Sequence, residues 1–498
     1  MSTQRITYGN WLQRRSPGLG PLSLAGTLIA FGTFFVMLLT IMFSQNLIAA
    51  AVQAAVAGVF ILVFTVKFDG RTLNTRLTDR RRFAKRQQRG ETQYVTGASR
   101  TLPVGDSHPM PGFLSKTQII PGRDGRNNPF GAIYYPGRDL FAVSIRCRPD
   151  GIGMIDRELV DALVAQYGAW LASLSVDDGL VGATVTVDSA ESSGTRVREL
   201  NLAARPDGAP SVASQVMDQV LEHLPAASAE VTAYVTLVWR GSRATHQRST
   251  PADVLVELSK RLPGHLGALI AAGGGAAVPM TEADLAQVAR TAYDPTTAEA
   301  FELLRAQGTP ADLSWGEAGP AFLEESRDMV AHDTGTSISY EMKTAPLGHI
   351  VDTHLHRLTK QYGAFSRKRV TLLYRPIDIG DGMTAAARMT KSAGLRVNKQ
   401  GRPSSVDSRE ANLANHTEEE LANGATMVPF SMVATVTFPA DDNAAQVARN
   451  QLKSLMTASK MQARACSGTQ VAAFHISLPF GLLPWEFTTV PLWAKELL

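Results

Sequence analysis

Two uncharged apolar runs, Pro21 to Phe43 and Leu47 to Val66, are separated by only Ser44, Gln45 and Asn46. At about 1.5 Å of rise per residue, the first reaches past the roughly 30 Å hydrocarbon core of a bilayer and the second just spans it. Leu28, Ile29, Phe31, Phe34, Phe35, Val36, Leu38, Leu39 and Ile41 outweigh Thr27, Gly32 and Thr33 on a scale that credits each large apolar residue with about 0.3–0.6 kcal/mol of insertion energy. The pattern predicts a transmembrane helical hairpin over residues 21–66. The second run carries Gln53 and spaces Ala50, Ala54 and Gly58 four apart, as membrane helices do where they approach closely. A cleaved signal peptide fits less well, because its apolar core is shorter and is not followed at once by a second apolar helix.

After the hairpin the period changes. From Glu91 to about Gly125 the chain is polar and broken by Pro103, Pro109, Pro111 and Pro121, which reads as a tether. Phe130–Tyr135 and Leu140–Cys147, joined by Pro136, Gly137, Arg138 and Asp139, predict a β-hairpin. Ile155, Leu159, Leu163, Tyr167, Trp170 and Leu174 recur at helical spacing, and Val181 to Val187 alternates with threonine and glycine as a strand does. Helix, strand and helix follow at Val212–Leu224, Val231–Trp239 and Asp253–Leu262. Thr281 to His332 reads as mainly helical, and strands return at Ser337–Met342, Arg369–Tyr374, Met432–Phe438 and Met461–Cys466. A helix is expected at Ala444–Met456, and Gln400–Asn423 reads as an exposed helical excursion.

The expected fold class is therefore α+β: an N-terminal two-helix transmembrane hairpin, then a cytoplasmic body of two α/β layered halves with a helical insertion. The boundaries are a cytoplasmic N-terminus at 1–20, the hairpin at 21–66 and a basic membrane-proximal segment and tether at 67–125. A first α+β domain at 126–264, a helical insertion or junction at 265–335 and a second α+β domain at 336–498 complete the chain.

Charge sets the orientation. The first hundred residues carry +10, which leaves −6 for the remainder of a chain whose total is +4. Arg5, Arg14 and Arg15 precede the hairpin, and Lys67, Arg71, Arg76, Arg80, Arg81, Arg82, Lys85, Arg86 and Arg89 follow it. Loops rich in Lys and Arg stay cytoplasmic, so both ends are expected inside a cell membrane crossed twice. Anionic headgroups explain this basic stretch more simply than nucleic acid does. Cys147 and Cys466 are far apart and lack CxxC spacing, which suits a reducing compartment.

Motifs for catalysis are sparse. The chain has no G-x-x-x-x-G-K-[ST] loop, and Gly273, Gly274 and Gly275 are followed by no Lys-Ser or Lys-Thr, so a turn is the expected use. His349, His354 and His356 lie on different helix faces at their spacing, with only Asp352 nearby as a carboxylate. His332 adjoins Asp333, but sequence neighbours rarely face one another and no G-x-S-x-G elbow accompanies them. No catalytic, cofactor-binding or metal-binding residue is expected, and the chain reads as non-enzymatic.

The strings Trp315-Gly-Glu-Ala-Gly-Pro320, His332-Asp-Thr-Gly335, Lys368-Arg-Val-Thr-Leu-Leu-Tyr-Arg-Pro376, Gly468-Thr-Gln470 and Leu478-Pro-Phe-Gly481 resemble an actinobacterial membrane-protein family of conjugative-element transfer loci, of the type IV secretion kind. Tyr8-Gly-Asn-Trp11 and Gly168-Ala-Trp-Leu-Ala172 extend the resemblance over nearly the whole chain. It implies a soluble part like the non-motor N-terminal region of the type IV secretion ATPase, with the P-loop motor on a separate polypeptide.

The resemblance implies an inner-membrane scaffold subunit of a conjugative DNA-transfer machine. It would dock the separate P-loop ATPase, join other transfer-channel subunits as part of an oligomeric complex and make no direct nucleic-acid contact. A structural membrane subunit of a type VII secretion system is the alternative, and a membrane-tethered hydrolase using His332 and Asp333 is a third reading.

Overall fold

The computed structural model describes the chain except for residues 1–7, 10–23, 45–47, 49–51, 54, 57, 59–66, 69–70, 97–107, 150–154, 192–200, 207–209, 224–228, 246–249, 310, 347–348, 362, 364, 400–404 and 489–498. The chain forms two units, Met1–Leu12 with Gln93–Leu483 and Gln13–Thr92 with Pro484–Leu498.

The smaller unit corrects the first expectation. The first apolar run contains a helix, α1 (Leu24–Ser44). Among the described residues, however, no helix is long and apolar enough to cross a membrane. The transmembrane hairpin is therefore not found, and the multi-pass membrane location and cytoplasmic placement of both ends inferred from it fall with it. Apolar composition predicts a span only where it runs through one continuous helix. Within the second run only residues 48, 52, 53, 55, 56 and 58 are described. Ala50 and Ala54 of the small-residue stripe lie outside the described residues, and a Cβ placed on Gly58 would meet nothing within 4 Å. The basic stretch is a short β-pair, β2 (Lys67–Phe68) with β3 (Arg71–Thr72), leading into α2 (Leu73–Gln88). Thr72 caps α2 by accepting from Thr75 N at 3.3 Å, the usual way a first-turn N–H is satisfied.

The larger unit is built on a thirteen-stranded sheet. Its strands are β4 (Gln93–Val95), β5 (Gln118–Arg123), β6 (Pro129–Tyr135), β7 (Leu140–Arg148), β8 (Leu180–Glu191), β9 (Ala229–Arg240), β10 (Ala276–Pro279), β11 (Phe322–Glu325), β12 (Val330–His332), β13 (Gly335–Thr344), β15 (Arg367–Tyr374), β16 (Phe430–Pro439) and β17 (Gln462–Ala465). The order is β4-β11-β12-β13-β16-β15-β8-β9-β7-β6-β5, with β10 beside β7 and β17 beside β13. Outside this sheet, β1 (Tyr8–Gly9) pairs with β14 (His349–Ile350).

Two expectations change here. The two halves are not separate layers: β8 and β15 pair antiparallel from Arg367↔Ala190 to Tyr374↔Ala183, so one sheet runs through both. Pairing satisfies the edge N–H and C=O groups that each half would otherwise expose. The expected tether supplies both outer strands, β4 and β5. Its prolines misled the reading because proline is confined to sheet edges, and Pro121 lies in the outermost strand β5, opposite Gly131.

The alternating pattern puts apolar residues on one face. Val143, Ile145, Val235, Leu237 and Trp239 pack with Trp170, Leu174, Val254, Leu258 and Leu262 in one core. These come from or adjoin α3 (Arg157–Ser173) and α6 (Pro251–Leu269). Val370, Val436 and Phe438 pack with Leu358, Leu452 and Met456 in a second, contributed by the one-turn α9 (His356–Thr359) and by α12 (Asp442–Ala458). Leu372 touches both cores. The expected apolar face of α3 is buried only towards its C-terminal end: Trp170 is 2% exposed and Leu159 52%.

The other face is covered by α7 (Glu282–Tyr293), α13 (Gln470–Ile476) and the segment that follows α13. The expected helical stretch continues into α8 (Ala298–Ala306) and then gives way to strands β11 and β12. Helices α4 (Ser211–His223) and α5 (Gly241–Ala244) flank β9 in sequence. The polar excursion, described from Ser405, is α11 (Ser405–Ala422), which packs along α10 (Ile379–Lys399).

Candidate functional site

The face beneath α7 and α13 is lined with buried hydroxyls. Ser144, Thr184, Thr186, Thr236, Thr371, Ser337, Ser339, Thr435 and Thr437 are all essentially inaccessible. They bond across neighbouring strands: Ser144 with Thr236 at 3.0 Å, Thr186 with Thr371, Ser337 with Thr437 and Ser339 with Thr435, each at 2.8 Å. The segment after α13 adds carbonyl acceptors. Ser144 Oγ donates to Pro479 O at 2.6 Å, Thr371 Oγ1 to Ser477 O at 3.3 Å and Tyr135 Oη to Phe480 O at 2.7 Å. Such pairing offsets the cost of burying each hydroxyl, about 1–3 kcal/mol when left alone.

Strings that lie far apart along the chain converge on this face. Gln470, fully buried, takes Ser339 N at 2.8 Å on Oε1 and gives Nε2 to Ser339 O at 3.3 Å. It thereby stands in for a strand where β13 changes partner from β12 to β17. Phe474 of α13 lies 5.1 Å from the His332 ring, and the Arg369 guanidinium sits 5.7 Å from the centre of the Phe474 ring. Trp315 meets Phe480 edge-on at 5.1 Å and donates Nε1 to Thr117 Oγ1 at 3.0 Å. Gly481 has φ +74, and a Cβ there would come within 2.5 Å of the Ala142 side chain; only glycine takes that turn so close to the sheet.

His332 is 1% exposed. Its Nδ1 lies 2.6 Å from Tyr293 O, an acceptor only, so Nδ1 carries the proton and Nε2 accepts from Ser337 Oγ at 2.8 Å. Burial pulls its pKa down to about 4, against the opposing pull of the Tyr293 carbonyl. Tyr293 Oη meets His475 Nε2 at 2.9 Å, and burial pulls His475 down to about 3. Both imidazoles are neutral near pH 7 and act there as hydrogen-bonding struts between α7, α13 and the sheet.

Asp333 turns to other partners. It pairs with Arg290 at 2.6 Å and accepts from Phe322 N at 2.9 Å. Arg290 also donates to Gly319 O at 2.8 Å and reaches Asp294 at 3.1 Å, so one guanidinium ties the Trp315 string to the His332 string. The imidazole-to-carboxylate contact that a hydrolase would need is not made between His332 and Asp333.

The remaining candidates are dispersed. His354 Nδ1 accepts from Val351 N at 3.1 Å, while the His349 side chain lies outside the described residues. Among the described residues no group of three or more His, Cys, Asp or Glu could hold a metal ion. Gly273 and Gly275 have φ +85 and +61 and form, with Gly274, the turn between α6 and β10. Both cysteines are buried and free, and burial pushes the Cys147 thiol up to about 12.

Tyr293 and His475 were not singled out from sequence, since each sits in a helix with no motif around it. The one available signal was the repeated Ser/Thr alternation in strands that proved to be central. Asn10 and Trp11 of the N-terminal string lie outside the described residues.

Residues 15–74 match the model of a domain of unknown function, DUF8461. No curated protein matches the chain.

Proposed function

We propose that this chain is a non-enzymatic docking subunit of a conjugative DNA-transfer machine of the type IV secretion kind, holding a separate P-loop ATPase. The observation that carries this reading is the convergence of the quoted strings. Trp315 to Pro320, His332 to Gly335, Lys368 to Pro376 and Gly468 to Gly481 supply the partners of one buried polar cluster. Strings that share a resemblance and also share a packing unit support a common body plan, because the physical demands on each are coupled to the others. In that plan the sheet is a rigid platform and the motor is supplied in trans.

Affinity capture of the tagged full chain from its native host, followed by mass spectrometry, is expected to recover a P-loop ATPase of the type IV kind. Recovery of a type VII secretion ATPase in its place, or of no ATPase after gentle lysis, would overturn the proposal.

A further inference from the structure

Where the hydroxyl face runs out under α7 and α8, it ends in a charged cavity of about 50 Å³. On a measure in which one water takes about 10–15 Å³, this is room for three or four waters or for one tetrahedral oxyanion. Arg146, Arg148, Arg305 and Arg367 line it, together with Asp188, Glu230 and Glu302.

The ion pairs are unevenly filled. Arg146 is held by Asp284 at 2.9 Å, and Asp284 is fixed in turn by capping Thr281 at the start of α7. Asp188 Oδ2 serves two guanidiniums, Arg367 at 2.7 Å and Arg369 at 3.5 Å. Arg305 hydrogen-bonds only to a neutral group, the amide oxygen of Gln287, at 3.0 and 3.2 Å. Counting Arg369 and Asp284, five guanidiniums meet four carboxylates, so the cluster carries one positive charge in excess. An excess charge in a largely desolvated site favours an anion.

A second observation narrows the anion. Asp188 is 4% exposed, and its Oδ1 is buried without a hydrogen-bond partner. A carboxylate oxygen can only accept, so the occupant that completes the site presents anionic oxygens to the arginines and one O–H to Asp188. We infer that the cavity binds inorganic hydrogen phosphate, whose P–O–H supplies the donor. Sulfate has the same size and shape but carries no proton near neutral pH, and it would set an oxygen against Asp188 Oδ1. A phosphate monoester, with a second pKa of about 6, has largely lost its proton there as well. This inference is independent of the docking role.

The test is isothermal titration calorimetry of the full chain near pH 7.5 with sodium phosphate, sodium sulfate and a nucleoside monophosphate. Saturable phosphate binding is expected, with sulfate and the monophosphate each at least about tenfold weaker, a difference near 1.4 kcal/mol. Arg305→Ala, at an exposed side chain, is expected to weaken phosphate by about tenfold or more without changing the melting temperature. Equal binding of sulfate, tighter binding of the monophosphate, no phosphate binding up to about 10 mM, against a typical millimolar floor near −4 kcal/mol, or an unaltered affinity in Arg305→Ala would overturn it.

Discussion

Val370 and Thr371 are neighbours on β15 yet are buried by different means. Val370 enters a core with Phe438 and Leu358, whereas Thr371 bonds to Thr186 across the strand and to a carbonyl of the segment after α13. The same contrast repeats on β9, between Val235 in the apolar core and Thr236 bonded to Ser144. One face thus gains stability from area removed from water, at about 25 cal/mol per Å². The other gains little from area, and holds register through directional bonds that exist only when both partners are in place. The apolar face tolerates repacking, whereas the hydroxyl face tolerates loss of a pair better than loss of half a pair.

That contrast can be broken at its most charged point. Asp188→Asn leaves Arg367 and Arg369 buried together without their shared carboxylate. A loss of about 3–5 kcal/mol is expected in urea unfolding of the full chain. A loss under about 1 kcal/mol would mean that solvent already screens these guanidiniums. On the apolar face, Leu237→Ala removes a fully buried side chain and is expected to cost about 2–4 kcal/mol, the size of a cavity rather than of a charge.

Acid separates the faces by window. His332 and His475 have folded pKa values near 4 and 3, below their ordinary 6.5. Between pH 6.5 and those values the unfolded chain binds more protons, so stability falls as pH is lowered and is flat above about 6.5. At pH 5 the loss from His332 alone is expected to be about 2 kcal/mol. Asp177, beside the apolar core, behaves differently. Burial raises its pKa, but bonds from His265 and Arg261 outweigh burial and hold it below 3.8. Its contribution is present above that value and is lost only as pH falls through the lowered one. Thermal melts from pH 8 to 3 should therefore show the histidine slope first, and His475→Leu should shallow it; an unchanged slope would remove His475 from the account.

The smallest effect is the most discriminating. Ser339→Ala strands the Thr435 hydroxyl and is expected to cost about 1–2 kcal/mol, while Ser339→Ala with Thr435→Val removes both partners and should cost less than the single change. Additive costs would show that the pair does not act as a unit.

Much of the strand and helix inventory was legible, because its signals are local. Alternation in 181–187 and 231–239 marked β8 and β9, and the 444–456 period marked α12. Pro121 and the polar residues around it hid an edge strand, since the features that suit an edge also suit a loop. The candidate site was less legible. His332 and Asp333 drew notice for being adjacent, yet their partners, Tyr293 and Arg290, lie about forty residues earlier on α7.

What the sequence determined by itself is the periodicity: which segments alternate, which turn every three or four residues, and that Arg367, Arg369, Thr371 and Leu373 share one side of a strand. Only the tertiary structure decided that this side is buried, that the two halves share one sheet, and that the apolar runs near the N-terminus contain, among the described residues, no helix long and apolar enough for a membrane. The reason is physical. A period records the faces of an element, but whether a polar face meets water or a matching row of hydroxyls depends on which distant segment arrives to cover it.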